Sequence, residues 1–159
     1  MYYIGVDPGK SGGIAIIRHD EIVVTPILLS GKDIDIYAMT KWIRNETYML
    51  PKTVACIEKV HAMPGQGVSS MFKFGFVTGV MHGILGALEI PIHLVTPQAW
   101  KKKILVGTSK DKTAAAEYCS RVYPKISLLA TERSRKPHSG MADAICIARY
   151  ASLTINIEQ

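Results

Sequence analysis

The stretch IGVDPGKSGGIAII, residues 4–17, decides the fold. An apolar run that starts at Tyr2 stops at Asp7-Pro8-Gly9, a strong turn signal because proline fixes one backbone angle and glycine permits conformations closed to other residues. A second apolar run, from Gly12 to Ile17, follows at once. We expect two strands joined by a tight turn, with the carboxylate of Asp7 at the end of the first.

From this pair outward, apolar periodicity predicts strands alternating with helices. The residues 22–28 should form a third strand and complete an antiparallel meander. Three strands followed by a helix, a strand, a helix, a strand and further helices indicate an α/β fold with a mixed sheet. Later strands are predicted at 53–57 and 92–95, and helices at 33–48, 69–88, 97–100, 109–122 and 140–151.

Composition fits a globular protein with one core. The 159 residues are 48% apolar and 20% charged, which predicts a single domain over 1–159. We expect no membrane span, and the opening MYYIGVDPGK lacks the features of a secretory signal, so a cytoplasmic protein is expected. The three widely spaced cysteines favour reduced thiols in a core over a disulfide framework or a zinc site.

Positive charge is concentrated in one part of the chain. Between Lys101 and Lys136 there are ten basic residues and three acidic ones, a net of +7, whereas the whole chain carries +6. The remainder of the protein is therefore slightly acidic. A stretch of this kind is typical of a surface that binds a polyanion such as nucleic acid, although a solvated, solubilising face has the same composition.

Three acidic residues occupy positions from which they can meet. Asp7 and Glu58 end predicted strands, and Asp143 lies in the first turn of the predicted last helix. Sites in open α/β sheets gather at the carboxyl ends of strands. Carboxylates that converge need a cation, and hard oxygen ligands select Mg²⁺ or Mn²⁺. Taken singly, however, each acid also suits a turn, a solvated strand end or a helix N-terminus.

In series, these motifs resemble those of RuvC-like Holliday junction resolvases (crossover junction endodeoxyribonucleases), the bacteriophage members in particular. The resemblance covers about residues 2–151, with motifs in the family's order and at fitting intervals. The matching segments are IGVDPGKSGGIAII at 4–17, VACIEKV at 54–60, VSSMFKFGFVTGVMHGILGAL at 68–88, HLVTPQAWKKKILVGTSKDKTAAAEYC at 93–119 and HSGMADAICIARYA at 138–151.

The resemblance implies a ribonuclease H-like fold, with a mixed five-stranded sheet flanked by helices. It also implies a homodimer that binds branched DNA and nicks two symmetric strands of a four-way junction. Asp7, Glu58 and Asp143 match the family's metal ligands, with Mg²⁺ as the expected cofactor and Mn²⁺ as a substitute. The DNA-contacting lysines of the family fall on the segment that holds Lys101, Lys102, Lys103, Lys110 and Lys112.

Two positions depart from the family's pattern. Gly140 stands where members commonly have an acid or a histidine, and the nearest candidate is His138, five residues before Asp143. We therefore add His138 to the predicted catalytic and metal-binding set. His61 stands where bacterial members often have an aromatic residue that contacts junction bases, and it is included as a predicted DNA-binding residue.

Glycines recur every four residues in the helix predicted at 69–88. Gly75, Gly79 and Gly83 fall on one helical face, although glycine costs about 1 kcal/mol relative to alanine within a helix. Such a face suits close approach of another backbone. Packing against the protein's own sheet is the favoured interpretation, and a partner helix is the alternative. Met71, Phe72, Phe76, Val80, Met81 and Leu85 are then expected to be mostly core.

Three other classes of protein share parts of this sequence pattern. A ribonuclease H-like nuclease acting on other branched DNA or on RNA is the nearest alternative, since fold alone does not decide activity. Sugar kinases and actin-like ATPases also begin with an Asp-x-Gly motif, but they need a second lobe that 159 residues cannot supply. The acids retained at all three motif positions argue against an inactive DNA-binding module.

Overall fold

The fold is built from a five-stranded sheet with helices on both faces. The computed structural model describes residues 1–19, 21–48, 52–59, 65, 67–108 and 111–155. Within these ranges the strands are β1 (Tyr2–Asp7), β2 (Gly13–Arg18), β3 (Glu21–Pro26), β4 (Leu29–Ser30), β5 (Asp33–Ile34), β6 (Thr53–Glu58) and β7 (Ile92–Val95), and the helices are α1 (Ile36–Thr47), α2 (Val68–Ala87), α3 (Pro97–Ile104), α4 (Ala114–Val122) and α5 (Ser139–Thr154).

The sheet is mixed, as the sequence predicted. Its strand order is β3-β2-β1-β6-β7, in which β1, β2 and β3 form the antiparallel meander and β6 and β7 run parallel to β1. Because β1 and β6 are parallel neighbours, their carboxyl ends lie at the same edge. A short hairpin, in which β4 and β5 have two residues each, is an additional element that apolar periodicity could not reveal.

The helix predicted at 97–100 continues to Ile104, and two helix starts differ from the prediction by three or more residues. The first helix begins at Ile36 and not at position 33, because the side chain of Asp35 caps it by accepting a hydrogen bond from the Ala38 amide at 2.9 Å. The fourth helix begins at Ala114 and not at position 109, because Asp111 holds the preceding residues in a turn, accepting from the Thr113 amide at 2.8 Å.

The core has two halves, one on each side of the sheet. On one side α5 packs with α3 and α4, and on the other side α1 and α2 pack against the sheet. All three cysteines are buried free thiols, as predicted. The buried residues of α5 include four alanines, and their small side chains let this helix lie close to the strands.

Helix α5 touches β1 through Gly5. A Cβ atom added to Gly5 would overlap the Ala144 carbonyl and the Ala148 amide, and it would lie 2.8 Å from the Ala148 Cα. Only glycine permits this approach of helix backbone to strand backbone. The contact sets the position of α5, and therefore of Asp143, relative to β1.

The glycines of α2 do not pack against the sheet, so that favoured interpretation is wrong. A Cβ atom at Gly75, Gly79 or Gly83 would meet no atom within 4 Å, and the helix instead buries Val77, Met81, Ile84 and Leu85. The expectation that Phe72 and Phe76 are core is also wrong, since they are 75% and 47% exposed. Helix α2 therefore presents an apolar, glycine-containing stripe to the outside.

By length and composition alone, α2 also meets the criteria for a membrane span. An 18-residue stretch of this 20-residue helix has a mean hydropathy of 1.2, and 22% of that stretch is buried within the fold. The expectation of no membrane span is not tested by this and stays a prediction. A single such helix is weak support for a membrane location.

Candidate metal-binding site and nucleic-acid surface

Asp7 lies at the carboxyl end of β1, in the middle of the sheet. Its carboxylate accepts a long hydrogen bond, 3.4 Å, from the Gly9 amide in the turn that follows. Burial, and then the negative charges of Asp143 and Glu58, raise the pKa of Asp7 to about 7, against smaller opposing effects of Gly9 and Lys101. The carboxylate is thus held in a place that disfavours its own charge.

Glu58 ends β6, the parallel neighbour of β1. Its Oε2 accepts a hydrogen bond of 2.8 Å from the indole nitrogen of Trp100, on α3. Glu58 acts electrostatically on both Asp7 and Asp143. The parallel pairing of the two strands therefore brings the first two acids to one edge of the sheet.

Asp143 reaches the same edge from α5. The sequence predicted Asp143 in the first turn of this helix. Because the helix begins at Ser139, Asp143 lies in its second turn. An acid in that position has no special role at a helix N-terminus, which removes one alternative to a site role. Burial raises the pKa of Asp143 to about 6, with Lys101 lowering it and Glu58 raising it.

The donor set of these three residues fits a hard divalent cation. Three carboxylates that interact across one partly buried edge, two of them with raised pKa values, form an arrangement that a bound cation would stabilise. Among the described residues, however, no three acidic, histidine or cysteine side chains stand close enough together to enclose an ion as they are placed. Binding an ion would require these carboxyl groups to draw together.

His138 is not brought alongside the three carboxylates. It is the N-cap of α5, where its Nδ1 accepts a hydrogen bond of 3.2 Å from the Met141 amide and its own amide donates to the Leu128 carbonyl at 2.7 Å. Burial lowers the pKa of His138, which favours the neutral imidazole. Its side chain faces a depression shared with Lys10 and Ser11, so its role in metal binding stays a prediction.

The structure explains the glycine that departs from the family's pattern. Gly140 pairs with Gly12 in an isolated bridge between α5 and the turn after β1. A Cβ atom on Gly140 would overlap the Ser11 carbonyl and lie 2.6 Å from the Gly12 carbonyl carbon. No side chain fits at this position, so a ligand there is sterically excluded.

Part of the predicted DNA-binding segment faces the carboxylates. A cleft of about 590 Å³ is lined by Lys101, Lys102 and Lys112 and has Asp143 in its wall. Lys103 lies on α3 but does not line this cleft. Lys110 and His61 lie outside the described residues. The basic surface thus borders the acidic edge, and its positive charge favours an anionic ligand there.

Sequence reasoning missed a second basic groove, which lies beside α2. This groove has a volume of about 280 Å³, and exposed phenylalanine rings of α2 form part of it. Its lysines come from three separate segments, so no local charge run marked it. It is lined by Lys10, Lys32, Asp33, Ile34, Phe72, Lys73, Phe76 and Val77.

The fold of the chain is similar to that of proteins of known structure. Two solved structures of Thermus thermophilus RuvC are similar to the chain. One, in complex with a Holliday junction substrate, has a TM-score of 0.63 and 14% identity, over 96% of this chain and 93% of that one. The other has a TM-score of 0.60 and 15% identity, over 96% of both chains. No protein-family model and no curated protein matches the sequence.

The chain therefore has an α/β fold of the ribonuclease H-like class. More narrowly, its fold is RuvC-like, which confirms the fold predicted from the sequence motifs. At this level of identity the likeness concerns the fold, and activity has to be argued from the site.

Proposed function

We propose that this protein is a metal-dependent endonuclease that resolves four-way (Holliday) DNA junctions. The observation that carries the proposal is the meeting of Asp7, Glu58 and Asp143 at one sheet edge, beside a cleft lined by lysines, in a RuvC-like fold. One of the similar RuvC structures is bound to a Holliday junction substrate, which supports the choice of substrate.

The three carboxylates would hold Mg²⁺, or Mn²⁺ in its place, and His138 is the predicted fourth ligand. When bound, such ions lower the pKa of a water molecule and stabilise the leaving oxygen of a phosphodiester. His138 keeps its Nδ1 occupied in the helix cap, which leaves Nε2 as the ring nitrogen for a metal. Imidazole is softer than carboxylate, so its participation would favour Mn²⁺ over Mg²⁺.

The lysines of the cleft would hold the DNA backbone against this edge. Lys101 acts electrostatically on both Asp7 and Asp143, so it lies close to where a scissile phosphate would sit. Lys102 and Lys112 extend the positive wall along the cleft. Their contacts with phosphates would release counterions and position the strand without reading its sequence.

A homodimer would account for the exposed stripe of α2. Val68 and Phe72 are 87% and 75% exposed, and Gly75, Gly79 and Gly83 leave the helix surface open for another backbone. With the sheet excluded as the partner of these glycines, a second copy of α2 is the occupant that fits a two-fold axis. A four-way junction offers two equivalent strands, which a dimer with two equivalent sites would cut symmetrically.

A nicking assay tests the proposed function. The purified protein is incubated with a labelled four-way junction, a fork, a linear duplex and an RNA–DNA hybrid, with and without Mg²⁺ or Mn²⁺. We expect paired, symmetric nicks in the junction that depend on the metal, and little cleavage of the linear duplex. Equal cleavage of the fork or the hybrid would favour a broader ribonuclease H-like nuclease, and no metal-dependent nicking of any substrate would refute the proposal.

A further inference from the structure

We infer that Trp100 is a positioning residue that fixes the carboxylate of Glu58 for metal binding. The inference rests on the proposed function, because it gives Glu58 the role of a metal ligand. It is carried by the hydrogen bond of 2.8 Å from the indole nitrogen of Trp100 to Oε2 of Glu58. Trp100 is fully buried, so it would act only through Glu58.

The chemistry of the two groups makes this contact directional. An indole nitrogen can only donate a hydrogen bond, and an ionised carboxylate can only accept one. The bond to Oε2 therefore fixes the orientation of the Glu58 carboxylate, whose remaining lone pairs are left for a cation. Donors that orient metal-binding side chains in this way commonly set both the geometry and the affinity of a site.

Both ends of the contact are held by secondary structure. Glu58 is the last residue of β6, and Trp100 is a fully buried residue near the start of α3. That helix is capped by Thr96, whose side chain accepts a hydrogen bond of 3.3 Å from the Ala99 amide, and it follows directly on β7, the neighbour of β6. The indole consequently has little freedom to leave the carboxylate.

Helix α3 also connects the acidic edge to the basic cleft. Lys101 follows Trp100 in the chain, and its Nζ lies 5.2 Å from the centre of the indole ring. The same lysine acts on Asp7 and Asp143. One turn of α3 thus supplies a donor to the second acid and a cation that acts on the other two, so a shift of this turn would disturb all three.

A purely structural tryptophan predicts a different experimental result. Trp100 packs in the core beneath α5, and its removal would lower stability whether or not it orients Glu58. The test must therefore remove the N–H group without removing the ring. The chain has two tryptophans, so Trp42→Phe leaves Trp100 as the only one, and replacing its indole by benzothiophene then exchanges N–H for S at nearly constant shape.

Binding of Mn²⁺ is measured by the electron paramagnetic resonance of the free ion, for the Trp42→Phe protein with indole or benzothiophene at position 100 and for Trp100→Phe. Losing the N–H should raise the Mn²⁺ dissociation constant about 10–100-fold, with a parallel rise in the Mn²⁺ concentration for half-maximal nicking. Junction affinity in chelator should match that of the indole control, and the thermal midpoint of the metal-free benzothiophene protein should fall only by the loss of one hydrogen bond.

The outcomes separate this inference from the proposed function. An Mn²⁺ dissociation constant that changes by less than about twofold on loss of the N–H overturns the role of Trp100, whether or not junctions are cut. If Mn²⁺ binds and weakens as expected but the unaltered protein cuts no junction, the role of Trp100 stands and the proposed function fails. If the unaltered protein binds no Mn²⁺, both fail.

Discussion

The negative charge of Asp143 raises the pKa of Asp7, although 135 positions of the chain lie between these two residues. The interaction exists because α5 packs directly against β1, with Gly5 at the point of contact. Acidic groups placed in this way oppose the folding of the metal-free protein. The same arrangement supports binding of a cation, so the predicted function has a cost in stability that can be measured.

The first prediction concerns the pH dependence of stability without metal. The pKa of Asp7 is about 7 in the folded protein and near the ordinary 3.8 when unfolded. Between pH 3.8 and pH 7, Asp7 is protonated in the folded protein but ionised in the unfolded protein. The stability that protonated Asp7 contributes is therefore fully present below pH 3.8 and is lost as the pH rises through 7. Asp7→Asn should remove this loss and stabilise the metal-free protein above pH 7 by on the order of 4 kcal/mol. Denaturant unfolding in chelator measures it, and a variant less stable than the unaltered protein contradicts it.

The second prediction concerns catalysis by the three acids. Asp7→Asn, Glu58→Gln and Asp143→Asn should each lower junction cleavage by about a thousandfold or more, since loss of a metal ligand removes several kcal/mol of transition-state stabilisation. Junction binding should persist because the basic cleft is unchanged. Glu132→Gln, at an exposed acid within the basic stretch, is the matched control and should cleave normally. Near-normal nicking by any of the three variants would remove that residue from the site.

The third prediction concerns the salt dependence of DNA binding. Lys102→Ala and Lys112→Ala should each reduce the magnitude of the slope of log affinity against log salt by about one unit, as one phosphate contact is lost. Both lysines line the cleft beside Asp143. Lys125→Ala, exposed on the same basic stretch but outside that cleft, should change the slope far less. If Lys102→Ala and Lys112→Ala change the salt slope no more than Lys125→Ala does, the lysines of the cleft form a solvated surface and make no specific phosphate contacts.

The fourth prediction separates the two roles open to His138. His138→Ala removes the cap of α5 and should cost about 0.5–2 kcal/mol of stability. His138→Ser keeps a capping oxygen and should restore that stability, yet still cleave more slowly in Mn²⁺ because the imidazole is gone. His138→Asp should recover part of the cleavage and shift the preference towards Mg²⁺. If His138→Ser cleaves at the original rate with both metals, His138 is a capping residue only.

The fifth prediction concerns the glycine stripe of α2. Alanine has room at Gly79 and Gly83, and each change should raise the stability of the folded monomer by about 1 kcal/mol because alanine favours helix. The double variant should nevertheless dissociate at a higher protein concentration than the unaltered protein, since added methyl groups keep two helices apart. Sedimentation measures this. An unchanged dimer, or a monomer in the unaltered protein, would exclude the stripe as the interface.

Much of the fold followed from local signals in the sequence. Turn residues after Asp7 and alternating apolar runs are properties of neighbouring residues, so the meander and the later strands were predictable. Helix starts were less so, because Asp35 and Asp111 set them through single side-chain hydrogen bonds. The meeting of the three acids required the resemblance to a family, since spacing carries no information on contacts between distant segments.

The remaining features depend on three-dimensional contacts that no sequence pattern displays. The close contact of Gly140 with Ser11 and Gly12 explains why position 140 has no ligand side chain. This contact exists only because α5 packs against the turn that follows β1, which the sequence does not show. The donor from Trp100 to Glu58 joins segments that are 42 positions apart. The sequence also could not predict that the α2 glycines face outward, because a helix face of small residues can pack against a sheet or against a partner helix equally well.

The contact of α5 with β1 has a consequence for how this site can change. Backbone atoms of Ala144 and Ala148 lie against Gly5, so the carboxyl groups of Asp7 and Asp143 are borne by two main chains in direct contact. A methyl group added at position 5 would force α5 away from β1, and Asp143 would move away from Asp7 with it. The spacing of the acids can therefore be altered by a change in the core that leaves all three of them in the sequence.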